Sequence, residues 1–187
     1  EKENPNQYSR YKKIEQGRYV YDVSDIEIDI PALLPVESID SFVKKIGMEP
    51  LYETPFYKGN LEVRVWATVR YNGLEAFILQ RHNDIWRGYQ ILDEICPRIV
   101  EVEKPPSYWQ NLWVEIENFG IDKLPDMDTF ENNVIARDGI SYFVELKRDN
   151  YYRAYHYSNP QLQKYGEAGT FEKIVKLLKS RFSTEHE

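Results

Sequence analysis

Residues 61–92 read LEVRVWATVRYNGLEAFILQRHNDIWRGYQIL, and this stretch decides the fold. Val63, Val65, Ala67 and Val69 alternate with Glu62, Arg64, Trp66, Thr68 and Arg70, the period-two pattern of a strand. Asn72-Gly73 follows, a pair favoured in type I′ hairpin turns because both central positions need positive φ. A two-residue turn there sets Arg70 opposite Glu75, Thr68 opposite Phe77 and Trp66 opposite Leu79, an ion pair followed by apolar contacts. His82-Asn83-Asp84 then turns the chain into a third strand, Ile85 to Leu92. The expectation is a three-stranded antiparallel meander.

Working outward, a second hairpin is read from Ile140 to Lys147 and from Tyr151 to Tyr157, turning at Asp149-Asn150. Its pairing puts Arg148 opposite Tyr151, Glu145 opposite Ala154 and Phe143 opposite His156. Three helices are predicted from apolar positions at i, i+3, i+4 spacing. The first covers about 38–46, with Ser38 or Asp40 as N-cap, Ile39, Phe42, Val43 and Ile46 in a stripe, and Gly47 just past its end. The second, about 107–119, follows Pro105-Pro106, is capped by Ser107, and presents Trp109, Leu112, Trp113, Ile116 and Phe119. The third, 170–183, buries Phe171, Ile174, Val175, Leu178 and Phe182. Residues 124–133 read as loop. In residues 19–30, Asp25, Glu27 and Asp29 alternate with Ile26, Ile28 and Ile30 until Pro31, which predicts an edge strand guarded by like charges. No linker interrupts the chain. The reading is one α+β domain over 1–187, strand-rich in 18–104 and helix–hairpin–helix in 105–187, with the helices on one face of an antiparallel sheet.

Composition narrows the function. The 187 residues are 42% hydrophobic and 14% aromatic, which excludes intrinsic disorder. The single cysteine, Cys96, cannot form an internal disulfide. No apolar run reaches the ~18 residues of a membrane-spanning helix. With 24 Lys+Arg against 31 Asp+Glu, the net charge of −7 disfavours nucleic acid as a partner. The start, Glu1-Lys2-Glu3-Asn4-Pro5, has no Met and no apolar leader, so a signal peptide is expected to have been removed or never present.

Several residues have the makings of a site. Glu145 and Lys147 share a strand face, with Asp138 and Asp126 upstream. Two carboxylates on Mg²⁺ with a lysine beside the attacking water form the chemistry of a metal-dependent nuclease, and the pattern resembles the PD-(D/E)xK nuclease motif. Glu-x-Lys is common on solvated strands, so an exposed ion pair is the preferred reading of Glu145 and Lys147. His156 joins Glu145, Lys147 and Tyr152 on that face, opposite to Tyr142, Val144, Leu146, Arg153 and Tyr155. Asp25, Glu27 and Asp29 lie too far apart along a strand to share a calcium ion. Asp122, Asp126, Asp128 and Glu131 form a looser calcium candidate without EF-hand spacing. No His or Cys pair has zinc-ligand spacing, and no cofactor is indicated. The aromatic excess is uneven: six of the fifteen Tyr fall within 142–165. Trp109 and Trp113 fit a core, whereas Trp86, Tyr151, Tyr152, Tyr155, His156 and Tyr157 are read as a binding surface, since Tyr and Trp dominate interface energetics.

Glu62-Val63-Arg64-Val65-Trp66 with Trp86, and Asp138-Gly139-x-x-Tyr142-x-x-Glu145 with Tyr152-Arg153-x-Tyr155-x-Tyr157-x-Asn159-Pro160, resemble signatures of a group of exported bacterial proteins without an assigned activity. That resemblance spans roughly residues 60–180. It implies a secreted or periplasmic location, the cytoplasm being the alternative, and a structural part for Glu145. The expected function is non-catalytic binding of a protein or glycan through the aromatic hairpin. The alternatives are a Mg²⁺-dependent nuclease and an acidic immunity-type inhibitor, whose charge would complement a basic toxin.

Overall fold

The computed structural model describes residues 11–14, 18–21, 27–31, 36–55, 57–69, 73–92, 98–131, 134 and 139–183. The order of elements is β1 (Tyr11–Ile14), β2 (Arg18–Tyr21), β3 (Glu27–Pro31), α1 (Val36–Lys45), β4 (Leu61–Val69), β5 (Gly73–His82), β6 (Ile85–Leu92), β7 (Arg98–Glu101), α2 (Pro106–Asn118), β8 (Ile140–Arg148), β9 (Tyr151–Ser158) and α3 (Gly166–Phe182). Strands β4 to β9 pair antiparallel in the spatial order β9-β8-β4-β5-β6-β7, and β3, β2 and β1 extend the sheet beyond β9. The β3–β9 pairing is parallel. The chain is thus α+β, as its sequence predicts.

The second hairpin keeps its expected register, with Glu145 opposite Ala154 and Phe143 opposite His156. The first does not. Val69 pairs with Gly73, Thr68 with Leu74 and Trp66 with Ala76, so three residues rather than two connect the strands and Gly73 belongs to β5. Asn72 lies outside the described residues. The turn after His82 is the tight one, with φ of 49° at Asn83 and 61° at Asp84, the left-handed pair of a type I′ turn.

Other boundaries move for local reasons. Pro105 has extended backbone and Pro106 begins α2, a position where proline's missing N–H costs nothing; Ser107 is therefore inside the helix. Helix α3 starts a turn before Thr170, and α1 begins at Val36, ahead of Ser38. The 19–30 run divides into β2 and β3, with Asp25 outside the described residues. Glu27 and Asp29 lie on β3, which pairs with both β2 and β9 and so is no edge. Strand β7 was not expected, its four residues being too few to show a period.

The largest correction concerns the layers. Helices α2 and α3 cover one face: Trp109, Leu112, Trp113, Ile116, Phe171, Ile174, Leu178 and Phe182 pack with Val63, Val65, Phe77, Val144, Tyr155 and Tyr157. Helix α1 and the segment after it cover the other, where Ile39, Val43, Leu51 and Tyr52 meet Trp66, Ile78, Phe143, Tyr152 and Ala154. Strands β4 and β8 are thereby buried on both sides. Packing against α2 is close enough that a Cβ at Gly88 would lie 2.4 Å from the Trp109 ring. At the start of β8, a Cβ at Gly139 would fall 1.6 Å from Asn159 Oδ1. That oxygen accepts from the Ile140 N–H, and Asn159 N–H donates to the Ile140 carbonyl. Gly139 and Asn159, which sequence analysis placed in one pattern, thus meet at one closure of the hairpin. At the other end of the sheet, Asn60 is a junction. Its Nδ2 donates to His82 Nδ1, its Oδ1 accepts from Asn83 N–H, and its carbonyl accepts from Asp149 N–H.

Candidate functional site

On the α1 side, β4 and β8 place four charged residues in a checkerboard, Glu62 beside Lys147 and Arg64 beside Glu145. The period-two reading correctly put each pair on one face of its own strand; the β4–β8 pairing brings the two pairs together, and the face they share is interior. Glu62 and Arg64 are each 3% exposed, Glu145 2% and Lys147 0%. Burial of charge demands partners, and each has them. Arg64 Nε donates to Glu62 Oε1 at 2.6 Å and Nη1 to the Glu49 carbonyl at 3.0 Å. Gln80 Nε2 donates to Glu62 Oε2 at 3.0 Å. Trp66 Nε1 and the Tyr152 hydroxyl donate to the two oxygens of Glu145 at 2.7 and 2.8 Å. Lys147 Nζ donates to the carbonyls of Leu51, Tyr52 and Thr54, which pins the α1–β4 connection to the sheet.

The electrostatics follow from this packing. Burial pushes the Glu145 carboxyl above its usual range, against Arg64 and the two hydrogen bonds. Burial lowers Lys147 to about 8, against the pull of Glu62. Burial also opposes the charge of Arg64, but Glu62 and Glu145 outweigh it and hold the guanidinium above its ordinary value. On α1, burial raises Asp40 to about 6 although the Tyr52 hydroxyl donates to it.

On β5 and β6 the cover of helix α1 and the segment after it reaches Ala76, Ile78 and Ile91 and ends there. Glu62, Arg64 and Gln80 form the polar floor of a cleft of about 310 Å³, walled by Met48, Ile78, Tyr89 and Ile99. A second, of about 410 Å³, adjoins it at Gln80 and is lined by His82, Asn83, Ile85 and Arg87. Gln80 pairs with Arg87 and Ile78 with Tyr89, so these side chains share one face of the sheet; Ile78 is buried at the limit of the α1 cover, and Arg87 is exposed beyond it. Ile85 is exposed, as are all four residues of β7. Among the described residues no strand pairs with the outer edge of β7. Sequence reasoning missed Gln80, Arg87, Tyr89 and Ile99. Nothing in β5 or β6 marks which part of a sheet face a helix leaves bare.

The expected binding surface lies elsewhere than at the surface. Trp86 is buried and stacks on Trp113 at 6.2 Å. Tyr155 and Tyr157 are buried beneath α3, Tyr157 stacking on Phe171 at 4.6 Å. Tyr152 is buried beneath α1, and only Tyr151 of these aromatics is exposed. The phenols are anchors: Tyr155 donates to the Ile121 carbonyl and Tyr157 to that of Pro125, both at 2.7 Å.

These bonds hold the 121–129 loop along β9. Its Asp126 is buried and its Met127–Thr129 segment forms one 3₁₀ turn. Asp126 Oδ1 accepts from Asp128 N–H, and Oδ2 accepts from both the backbone N–H and Nδ1 of half-buried His156. Burial works against a charged imidazole, but Asp126 and Asp128 outweigh it and raise the His156 pKa. The structure thus joins Asp126 to His156 rather than to Glu145, whose oxygens face Trp66 and Tyr152. Asp138, the other aspartate of the nuclease expectation, lies outside the described residues. No known protein family matches the chain in sequence, and no curated protein does either.

Proposed function

We propose that the protein is a non-catalytic binding module that takes an extended segment of another protein on the open half of its sheet. The observation that carries this reading is the pair of clefts that meet at Gln80, the first mixing Met48, Tyr89 and Ile99 with Glu62 and Arg64, the second lined by His82, Asn83 and Arg87 beside Ile85. It adjoins an edge strand with Ile99 and Val100 exposed. A sheet edge offers main-chain donors and acceptors to an incoming strand, while flanking pockets supply specificity. The net charge of −7 favours a basic partner, which keeps an inhibitor of a basic toxin within this reading. The aromatic hairpin serves as core behind the site. Glu145 and Lys147 hold the interior together, a use that does not call for metal chemistry.

Peptide and glycan arrays probed with three proteins test the proposal. Wild type is expected to bind basic, strand-forming peptides, Tyr151→Ala to bind them equally, and the Ile85→Lys/Ile99→Lys variant to lose at least tenfold in affinity. Binding confined to glycans, or peptide binding unchanged in the open-face variant, overturns it.

A further inference from the structure

We infer that His156 and Asp128 form a binding site for a divalent transition-metal ion, with Asp126 as the positioning carboxylate behind the imidazole. The site is separate from the open sheet face and does not depend on the function proposed for it. Asp126, Asp128 and His156 are a group whose potential ligand atoms all lie within 4.8 Å of one another. Their roles differ. Asp126 is buried and both of its oxygens are already engaged, one by Asp128 N–H and the other by the N–H and Nδ1 of His156. With the Nδ1 proton held there, the lone pair of a neutral imidazole is on Nε2, the arrangement of carboxylate–histidine–metal triads. Nε2 stands 3.7 Å from Asp128 Oδ1, too long for a hydrogen bond. Two donors each ~2.1 Å from a tetrahedral ion stand about 3.4 Å apart, so an ion fits between them after a small side-chain adjustment. Asp128 is exposed, which leaves the remaining coordination positions to water.

The donor set selects the ion. One imidazole and one carboxylate suit Zn²⁺, Co²⁺, Ni²⁺ or Cu²⁺, whereas Mg²⁺ and Ca²⁺ prefer all-oxygen shells. The acidic loop around Asp122, Asp126, Asp128 and Glu131 therefore points away from calcium once His156 is placed within it.

Titration of the full chain with Zn²⁺ by calorimetry, and with Co²⁺ by visible absorption, tests the site. One equivalent is expected to bind, with the His156 imidazole resonances shifting in two-dimensional spectra. His156→Gln and Asp128→Asn are expected to abolish binding, and Asp126→Asn to weaken it by about 10–100-fold. His82→Gln is expected to leave it unchanged. Both ligand side chains reach the surface, so circular dichroism of the first two variants is expected to match wild type, and they carry the test even if Asp126→Asn fails to fold. Absence of binding at millimolar Zn²⁺ and Co²⁺, or undiminished binding in His156→Gln, overturns the inference.

Discussion

Lys147 exchanges its lost hydration for three carbonyl oxygens, those of Leu51, Tyr52 and Thr54. Removing such an ammonium strands its acceptors, a larger effect than the pair's net contribution. Lys147→Met is therefore expected to lower the unfolding free energy by about 3 kcal/mol in urea titrations. Glu145→Ala leaves Trp66 Nε1 and the Tyr152 hydroxyl without acceptors and is expected to cost a similar ~3 kcal/mol. An exposed ion pair would give under ~1 kcal/mol for either change, so the measurement separates the two readings of the Glu-x-Lys pattern. Here the sequence was legible to a point. Alternation correctly placed Glu62, Arg64, Glu145 and Lys147 on one side of their strands, but charged residues signal solvent in any local reading. Only the three-dimensional arrangement shows that each charge finds its partner across strands or from the 49–54 segment.

At the level of elements, helical periodicity identified Trp109, Leu112, Trp113 and Ile116 of α2 and all but Ala168 of the residues α3 buries, because a stripe at i, i+3, i+4 reports burial wherever the helix docks. Phe119, expected in the α2 stripe, instead caps the helix end and is exposed. Periodicity carried no information on which face of the sheet α1 takes. That placement exposes α1 to pH through Asp40. Its carboxyl is raised to about 6 by burial, so the folded state holds a proton that the unfolded state releases near 4. Stability is then highest below pH 4 as far as this group is concerned, falls as pH rises toward 6, and stays at the lower value above it. With Asp40 partly open to solvent the difference amounts to about 1 kcal/mol. Asp40→Asn, which still accepts from Tyr52, is expected to remove this slope when denaturant midpoints are compared between pH 4 and 7. A separate element-scale prediction concerns β6 and α2. Gly88→Ala drives a methyl group into the Trp109 ring and is expected to cost at least ~2 kcal/mol in thermal or urea unfolding. The second hairpin was fully legible because a two-residue turn fixes its register. The first was not, since one more residue in the connection flips the pairing.

For the whole molecule, a sheet covered on both sides at its centre and bare toward β7 has a gradient of protection. Amide hydrogens of β4 and β8 are expected to exchange only through global unfolding, and those of β7 through local opening several kcal/mol cheaper. Uniform protection across β4 to β7 in native-state exchange would contradict the layer arrangement. Asn60 gives this architecture a kinetic side. It ties the entry of β4 to the β5–β6 turn and to the β8–β9 turn, sites 22 to 89 residues away along the chain. Such bonds close long loops and form only once the strands have met, and we expect them to be incomplete in the transition state. Asn60→Ala removes the two side-chain bonds to the β5–β6 turn and keeps the main-chain bond to Asp149. It should accordingly leave the refolding rate nearly unchanged and quicken unfolding, making this one side-chain amide a determinant of how long the protein stays folded rather than how fast it gets there.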